Sequence, residues 1–160
     1  MFPPDLIVEA RVRSQWDVSS KKRLLQSVAT LLTDPPSGLK ADPVFDCLLE
    51  RERLGSTGLG HGVALPHARV KEVDEPLAAF VQLRESVDFS APDDQPVDLV
   101  FALLVPDEAT EQHLQLLAAL AQMFGDAQLR EQLRRCDSAR ASLRVLTEWD
   151  ERHADGPCDR

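Results

Sequence analysis

Four of the seven glycines in this 160-residue chain fall within eight consecutive residues, GSTGLGHG from Gly55 to Gly62. Next comes the apolar run Val63-Ala64-Leu65, closed by Pro66-His67. Glycine lets backbone N–H groups approach an oxyanion without obstruction by a Cβ, and Ser56 and Thr57 add hydroxyl donors, so such a loop can cradle a phosphate. It can equally be a tight helix-to-strand connection, and on glycine content alone that is the better reading. The loop fits neither the lysine-bearing P-loop nor the dinucleotide fingerprint, and no G-x-S-x-G elbow is present.

His67 changes the balance. Pro66 fixes the backbone just before it, so the imidazole is held at a strand terminus beside the loop. With an ordinary pKa of about 6.5, a neutral imidazole keeps a nucleophilic nitrogen at neutral pH. Attack on a phosphoryl group would give a phosphohistidine, whose labile P–N bond can pass the group onward. Arg51, Arg53 and Arg69 are the nearby cations that could neutralise it. From position alone, a histidine satisfied by backbone hydrogen bonds at a strand end is at least as good a reading.

Other chemistry-bearing residues carry less. His61 and His67 have a spacing that shares a strand face, but Val63 and Leu65 between them are apolar and no cysteine or acid completes a set, so no metal is expected. His113 opens an amphipathic helix and by itself reads as an ordinary surface or core histidine. His153 lies in a polar tail and reads as solvated. Arg130, Arg134, Arg135, Arg140 and Arg144 make the C-terminal helices locally basic, a solvated face by default and a partner surface in the sharper reading. Cys47 and Trp149 read as packing residues. Cys47, Cys136 and Cys158 are odd in number and far apart, which suggests neither a disulfide framework nor a cysteine zinc site.

The elements that position these groups are those of one domain, residues 19–150, between a loose arm over 1–18 and a flexible tail over 151–160. Ser19 and Ser20 can cap a helix from Lys21 to about Leu32, which Asp34-Pro35-Pro36-Ser37-Gly38 stops. A second helix follows, with Asp42 as N-cap and Pro43 at its first position, and Arg51 and Arg53 fall in its last turn, where cations suit the helix dipole. Extended pieces are expected at Val63–Leu65, Leu77–Leu83 and Val97–Val105. The last is apolar on both faces apart from Asp98, the pattern of a central strand covered on both sides. Helical periodicity returns from Thr110 to Gly125 and over two further stretches, about 127–134 and 138–149. The fold class is therefore α/β, a sheet with helices on two faces.

Composition excludes several function classes. The chain is 43% hydrophobic and 28% charged, a globular profile, and no apolar run approaches the ~20 residues that cross a bilayer. A net charge of −9 argues against nucleic acid or anionic lipid as a partner. The charged start MFPPDLIVEARVRSQW has no apolar signal core, so a cytoplasmic location is expected.

The stretch from Glu52 to Ala68, ERLGSTGLGHGVALPHA, resembles the active-site signature of the type-2 enzyme IIA domain of the phosphoenolpyruvate-dependent phosphotransferase system, the fructose, mannitol and nitrogen-regulatory class. The likeness continues through FVQL (Phe80 to Leu83), DDQPVDLVFALLVP (Asp93 to Pro106) and HLQLL (His113 to Leu117), and is nearest to the nitrogen branch. It implies a three-layer α/β/α fold with a central mixed sheet and no metal or organic cofactor. It also implies phosphoryl transfer from an HPr-type histidine phosphocarrier, with regulated target proteins as further partners. By the same resemblance His67 matches the phosphorylated histidine and His113 a second active-site histidine that orients or stabilises it. Arg51 matches the arginine that steadies the phosphoryl group, Ser56 and Thr57 the loop that faces it, and Arg69 keeps a positive charge. Ala68-Arg69 stand where the nitrogen branch has Gly-Lys, and His61 stands where it has Asn. Two alternatives remain: a sugar-specific enzyme IIA passing the group to a fructose- or mannitol-type enzyme IIB, and a non-catalytic binding module of the same fold.

Overall fold

A computed structural model describes residues 2–3, 5–33, 38–108 and 110–153. The sheet is built around one strand, β6 (Val97–Pro106), whose alternate residues enter two separate cores. Val100, Ala102 and Leu104 face one side, and Leu99, Phe101, Leu103 and Val105 face the other. That double burial is what the unbroken apolar sequence requires. On one edge β6 pairs antiparallel with β5 (Leu77–Val87), which pairs parallel with the edge strand β1 (Val12–Trp16). On its other edge β6 pairs parallel with β3 (Val63–Ala64) and, further along, with β4 (His67–Val70). β2 (Gly58–Gly60) closes that side as the antiparallel partner of β3.

Helices α1 (Lys21–Leu32) and α2 (Ala41–Leu54) cover one face. Helices α3 (Thr110–Phe124), α4 (Ala127–Arg135) and α5 (Ala139–His153) cover the other. The result is a single three-layer α/β/α domain with a mixed sheet. Burying Phe80, Phe101 and the leucines of these cores contributes roughly 1.5–3 kcal/mol per side chain.

Local chemistry sets the helix ends. Ser20 Oγ accepts from the Arg23 N–H at 3.2 Å and starts α1. α2 begins earlier than its sequence suggests: Lys40 is the N-cap, and Asp42 and Pro43 lie inside the first turn. Proline loses nothing there, because first-turn N–H groups have no intrahelical acceptor. Residues 34–37 of the expected helix stop lie outside the described residues.

Described residues on both sides of the expected 19–150 domain pack against it. Instead of a loose arm, Leu6 is buried, its carbonyl accepts from the Ala78 N–H at 2.8 Å, and Arg11 Nε donates to the Ala78 carbonyl at 2.8 Å. Phe2 and Ile7 join the same core, so the segment seals the end of the sheet. At the other end α5 continues to His153, whose ring stacks on Trp149 at 3.8 Å and whose Nδ1 bonds the Trp149 carbonyl at 2.8 Å. His153 is thus a packing residue here, and the expected tail beyond it, 154–160, lies outside the described residues.

The glycine-rich stretch is a hairpin. β2 and β3 are joined by His61-Gly62, both at positive φ (58° and 81°), the conformation that two-residue hairpin turns demand. From α4, Arg134 grips this turn: its guanidinium pairs Asp98 at 2.9 Å and bonds the His61 carbonyl, while the His61 N–H donates to Asp93 at 2.9 Å. A Cβ on Gly62 would meet the Arg134 guanidinium and lie 2.9 Å from Asp98 Oδ1. Gly62→Ala should therefore cost about 1–3 kcal/mol of stability, measured by urea unfolding.

Candidate functional site

A cleft of about 730 Å³ opens between α2, the start of β4 and the start of α3. His67, Arg51, Arg69 and His113 all line it, together with Asp46, Cys47, Glu50, Arg53 and Leu54. Five residues singled out by sequence, Arg51, Arg53, His67, Arg69 and His113, separated by up to 62 positions, thus share one cavity.

His67 occupies the first position of β4, with its Cα partner Leu103 on β6. The break between β3 and β4 falls at Leu65-Pro66, and the Leu103 N–H donates to the Pro66 carbonyl at 2.9 Å, so the histidine is anchored on both sides of the proline. Its Nδ1 lies 2.8 Å from the Leu65 carbonyl. A carbonyl only accepts, so Nδ1 carries the proton and Nε2 is left with a free lone pair. Partial burial pulls the His67 pKa below 6.5, the Leu65 hydrogen bond opposes this, and Arg51 adds to the lowering.

His113 sits in the first turns of α3, only 6% exposed, its ring edge-on to His67 with centroids 5.6 Å apart. Its Nδ1 is buried and has no hydrogen-bond partner among the described residues. Desolvation lowers its pKa first, then repulsion from His67, Arg69 and Arg51. Both rings are therefore neutral at pH 7.

Arg51, in the last turn of α2, spends one N–H of Nη1 on the Gly55 carbonyl at 3.0 Å and keeps its other donors. Leu54, which lines the cleft, is 85% exposed, and Leu114, the residue after His113 on α3, is 60% exposed. Cys47 packs against the core as expected and also stands half-buried in the cleft wall, where burial together with Asp46, Glu72 and Glu50 pushes its thiol pKa up.

Ser56 and Thr57 do not line this cleft. Ser56 Oγ donates to the Phe89 carbonyl at 2.9 Å and accepts from the Gly58 N–H at 3.1 Å. Thr57 is buried, with Oγ1 on Glu52 Oε2 at 2.6 Å and its N–H on Glu52 Oε1 at 2.8 Å. The hydroxyls expected to face a phosphate are committed to holding the loop instead. Glu52, unremarked in sequence as one acid of α2, is buried at their centre and paired with Lys21 at 3.3 Å. A signal was present: Glu52 opens the signature and stands five residues before a hydroxyl.

The other sequence candidates fall elsewhere. His61 lies on the hairpin turn outside the cleft lining, and the C-terminal arginines are largely committed: Arg134 to Asp98, Arg135 to Glu131 and Arg130 to the Phe124 carbonyl. Among the described residues no helix is long and apolar enough to cross a membrane.

Residues 5–149 match the family described as phosphoenolpyruvate-dependent sugar phosphotransferase system, EIIA 2. The chain belongs to this family. It is a phosphotransferase component at the family level. It is 43% identical over 129 residues to a nitrogen regulatory protein of Pseudomonas aeruginosa, covering 81% of this chain and 84% of the relative. The crystal structure of the nitrogen regulatory protein IIA-Ntr from Neisseria meningitidis superposes with a TM-score of 0.83 at 42% identity, covering 88% of this chain and 96% of that one. A fructose-specific EIIA component of Haloferax volcanii is 36% identical, covering 81% of this chain and 84% of the relative.

The two histidines of this IIA chain have a signature in pH. In the unfolded chain they titrate near 6.5 and in the folded chain lower, so as pH falls below 6.5 the unfolded state takes up protons first. Their contribution to stability is thus constant above 6.5 and is lost as pH falls toward the depressed folded values. NMR titration should place both rings below 6.5, and the doubly substituted His67→Gln, His113→Gln chain should lose less stability over that window than wild type.

Proposed function

We propose that this IIA chain is a regulatory phosphocarrier that accepts a phosphoryl group on His67 Nε2. The observation that carries the reading is the hydrogen bond from His67 Nδ1 to the Leu65 carbonyl, which leaves Nε2 unprotonated beside arginines. The lone pair of Nε2 attacks phosphorus on an HPr-type phosphohistidine donor, the donor's P–N bond breaks, and its electron pair returns to the donor imidazole. No proton has to leave His67, because the attacking nitrogen holds none. Arg51 and Arg69 offset the charge of the phosphoryl oxygens, and His113 orients or supports the ring. Exposed Leu54 and Leu114 offer apolar area to a docked donor.

The nitrogen regulatory relatives favour regulation as the output, exercised in the cytoplasm. A phosphoryl group adds about −1.5 to −2 charges to a surface that a target protein must cover, so the two states bind different partners. The fructose-specific relative keeps a second reading in view, in which an enzyme IIB receives the group.

Incubation with phosphoenolpyruvate, enzyme I and an HPr-type carrier should add one acid-labile, alkali-stable phosphoryl group by intact mass, and His67→Ala should abolish it. Undiminished labelling of that variant sinks the assignment. His113→Ala and Arg51→Gln should remain folded and phosphorylatable but react slower by roughly 10- to 1,000-fold in rapid-quench kinetics. If either variant simply unfolds, that residue is structural. Partners captured from the native extract on His67→Ala should be released by freshly phosphorylated wild type, whereas recovery of an enzyme IIB alone would favour the sugar-specific reading.

A further inference from the structure

A continuous series of hydrogen bonds joins the buried carboxylate of Glu52 to the ring of His67. Glu52 Oε1 and Oε2 accept from the Thr57 N–H at 2.8 Å and the Thr57 hydroxyl at 2.6 Å. The Thr57 carbonyl accepts from the Leu65 N–H at 3.0 Å, and the Leu65 carbonyl accepts from His67 Nδ1 at 2.8 Å. Leu65 belongs to neither β3 nor β4, which end and begin on either side of it. Its peptide is therefore placed from outside the regular ladder, by Thr57 on one flank and by the Pro66-to-Leu103 bond on the other.

We propose that Glu52 is a positioning residue for His67, fixing through Thr57 and Leu65 the carbonyl that holds the imidazole with its proton on Nδ1 and Nε2 free. This rests on His67 being the phosphoryl acceptor, but its first consequence concerns the resting protein. Glu52 does not itself line the cleft, although its charge also favours a proton on His67 through space. It acts at a distance because a buried carboxylate must be fully paired, so the loop closes on it in one geometry. The links pass through the backbone of Thr57 and Leu65, so the effect is one of placement. Lys21, 3.3 Å from Oε1, compensates the charge from α1.

Three variants separate positioning from bulk stability. Glu52→Gln keeps the side-chain length and removes the charge; Thr57→Val keeps the shape and removes the hydroxyl; Thr57→Ser keeps the hydroxyl. Long-range 1H–15N spectra of the imidazoles, on unphosphorylated protein below its unfolding temperature, read the tautomer directly. Wild type and Thr57→Ser should show His67 as Nδ1–H, whereas Glu52→Gln and Thr57→Val should show a raised Nε2–H fraction. Phosphoryl transfer to the same two variants should fall by roughly 10- to 100-fold, as expected for a misplaced nucleophile, and Thr57→Ser should stay near wild type. The proposal is overturned if folded Glu52→Gln and Thr57→Val keep the wild-type tautomer and transfer within about twofold of wild type. Should Glu52→Gln not fold, Thr57→Val decides alone. If wild type accepts no phosphoryl group at all, the phosphocarrier reading fails, and the tautomer measurement still decides the role of Glu52.

Discussion

A carboxylate removed from water has to be paired, and in this chain the pairing of Glu52 organises everything around the cleft. The residue sits two positions before the end of α2 with 7% of its surface exposed. Its partners come from α1, through Lys21, and from the loop entering β2, through Thr57. Lys21 is held there in turn, donating to the Phe89 carbonyl at 3.3 Å and lying 4.6 Å from the Phe89 ring centroid. Ser56 Oγ donates to that same carbonyl. Two helices, the loop and the segment after β5 are thus tied at one point, and Arg51, one residue before Glu52, is presented to the cleft as a result.

The sheet supplies the second half of the geometry. β6 carries β3 and β4 end to end along one edge, so Leu65-Pro66 is a gap in a composite strand rather than its end. The parts of the sheet legible in sequence were the ones whose side chains are buried on both faces, β6, most of β5 and the short β3. β1 was not legible, since only Val12 of its five residues is fully buried and no alternation marks it. β2 is Gly-Leu-Gly, which has no strand propensity and exists because β3 and the His61-Gly62 turn hold it. β4 hides behind a proline, and the sequence reading placed His67 at the close of one strand where it opens the next.

At the site, the cleft residues came from types that cluster for chemical reasons: a histidine behind a rigid proline, an arginine at a helix end, a basic residue just beyond. Only resemblance singled out His113, because nothing local to α3 distinguishes it from any helical histidine. Ser56 and Thr57 were assigned the right polarity and the wrong purpose. A hydroxyl beside a glycine cluster can face an anion or brace the loop, and the choice turns on Glu52, whose burial depends on how α1 packs against α2 and cannot be seen in a run of charged residues.

The cations of the cleft serve two ends at its histidines, against an opposing contribution from Glu52 at His67. The chain carries a net charge of −9, yet Arg51 acts on both histidines, and Arg69 on His113, in the direction that repels a proton. Desolvation acts in the same direction and is the larger cause for each ring. A positive field in a partly dry cleft therefore does at rest what a nucleophile needs, keeping Nε2 of His67 bare at neutral pH. On the proposed function, the arrival of a phosphoryl dianion reverses the sign of the interaction without moving any charge: the guanidinium groups that excluded a proton then attract the oxygens. The dianion also stands beside His113, whose buried Nδ1 has no acceptor among the described residues and whose ring, 5.6 Å from His67, then faces an anion where it faced a neutral ring. On that function the same cations keep the nucleophile unprotonated and stabilise the phosphoryl group it accepts, so no separate general base is needed.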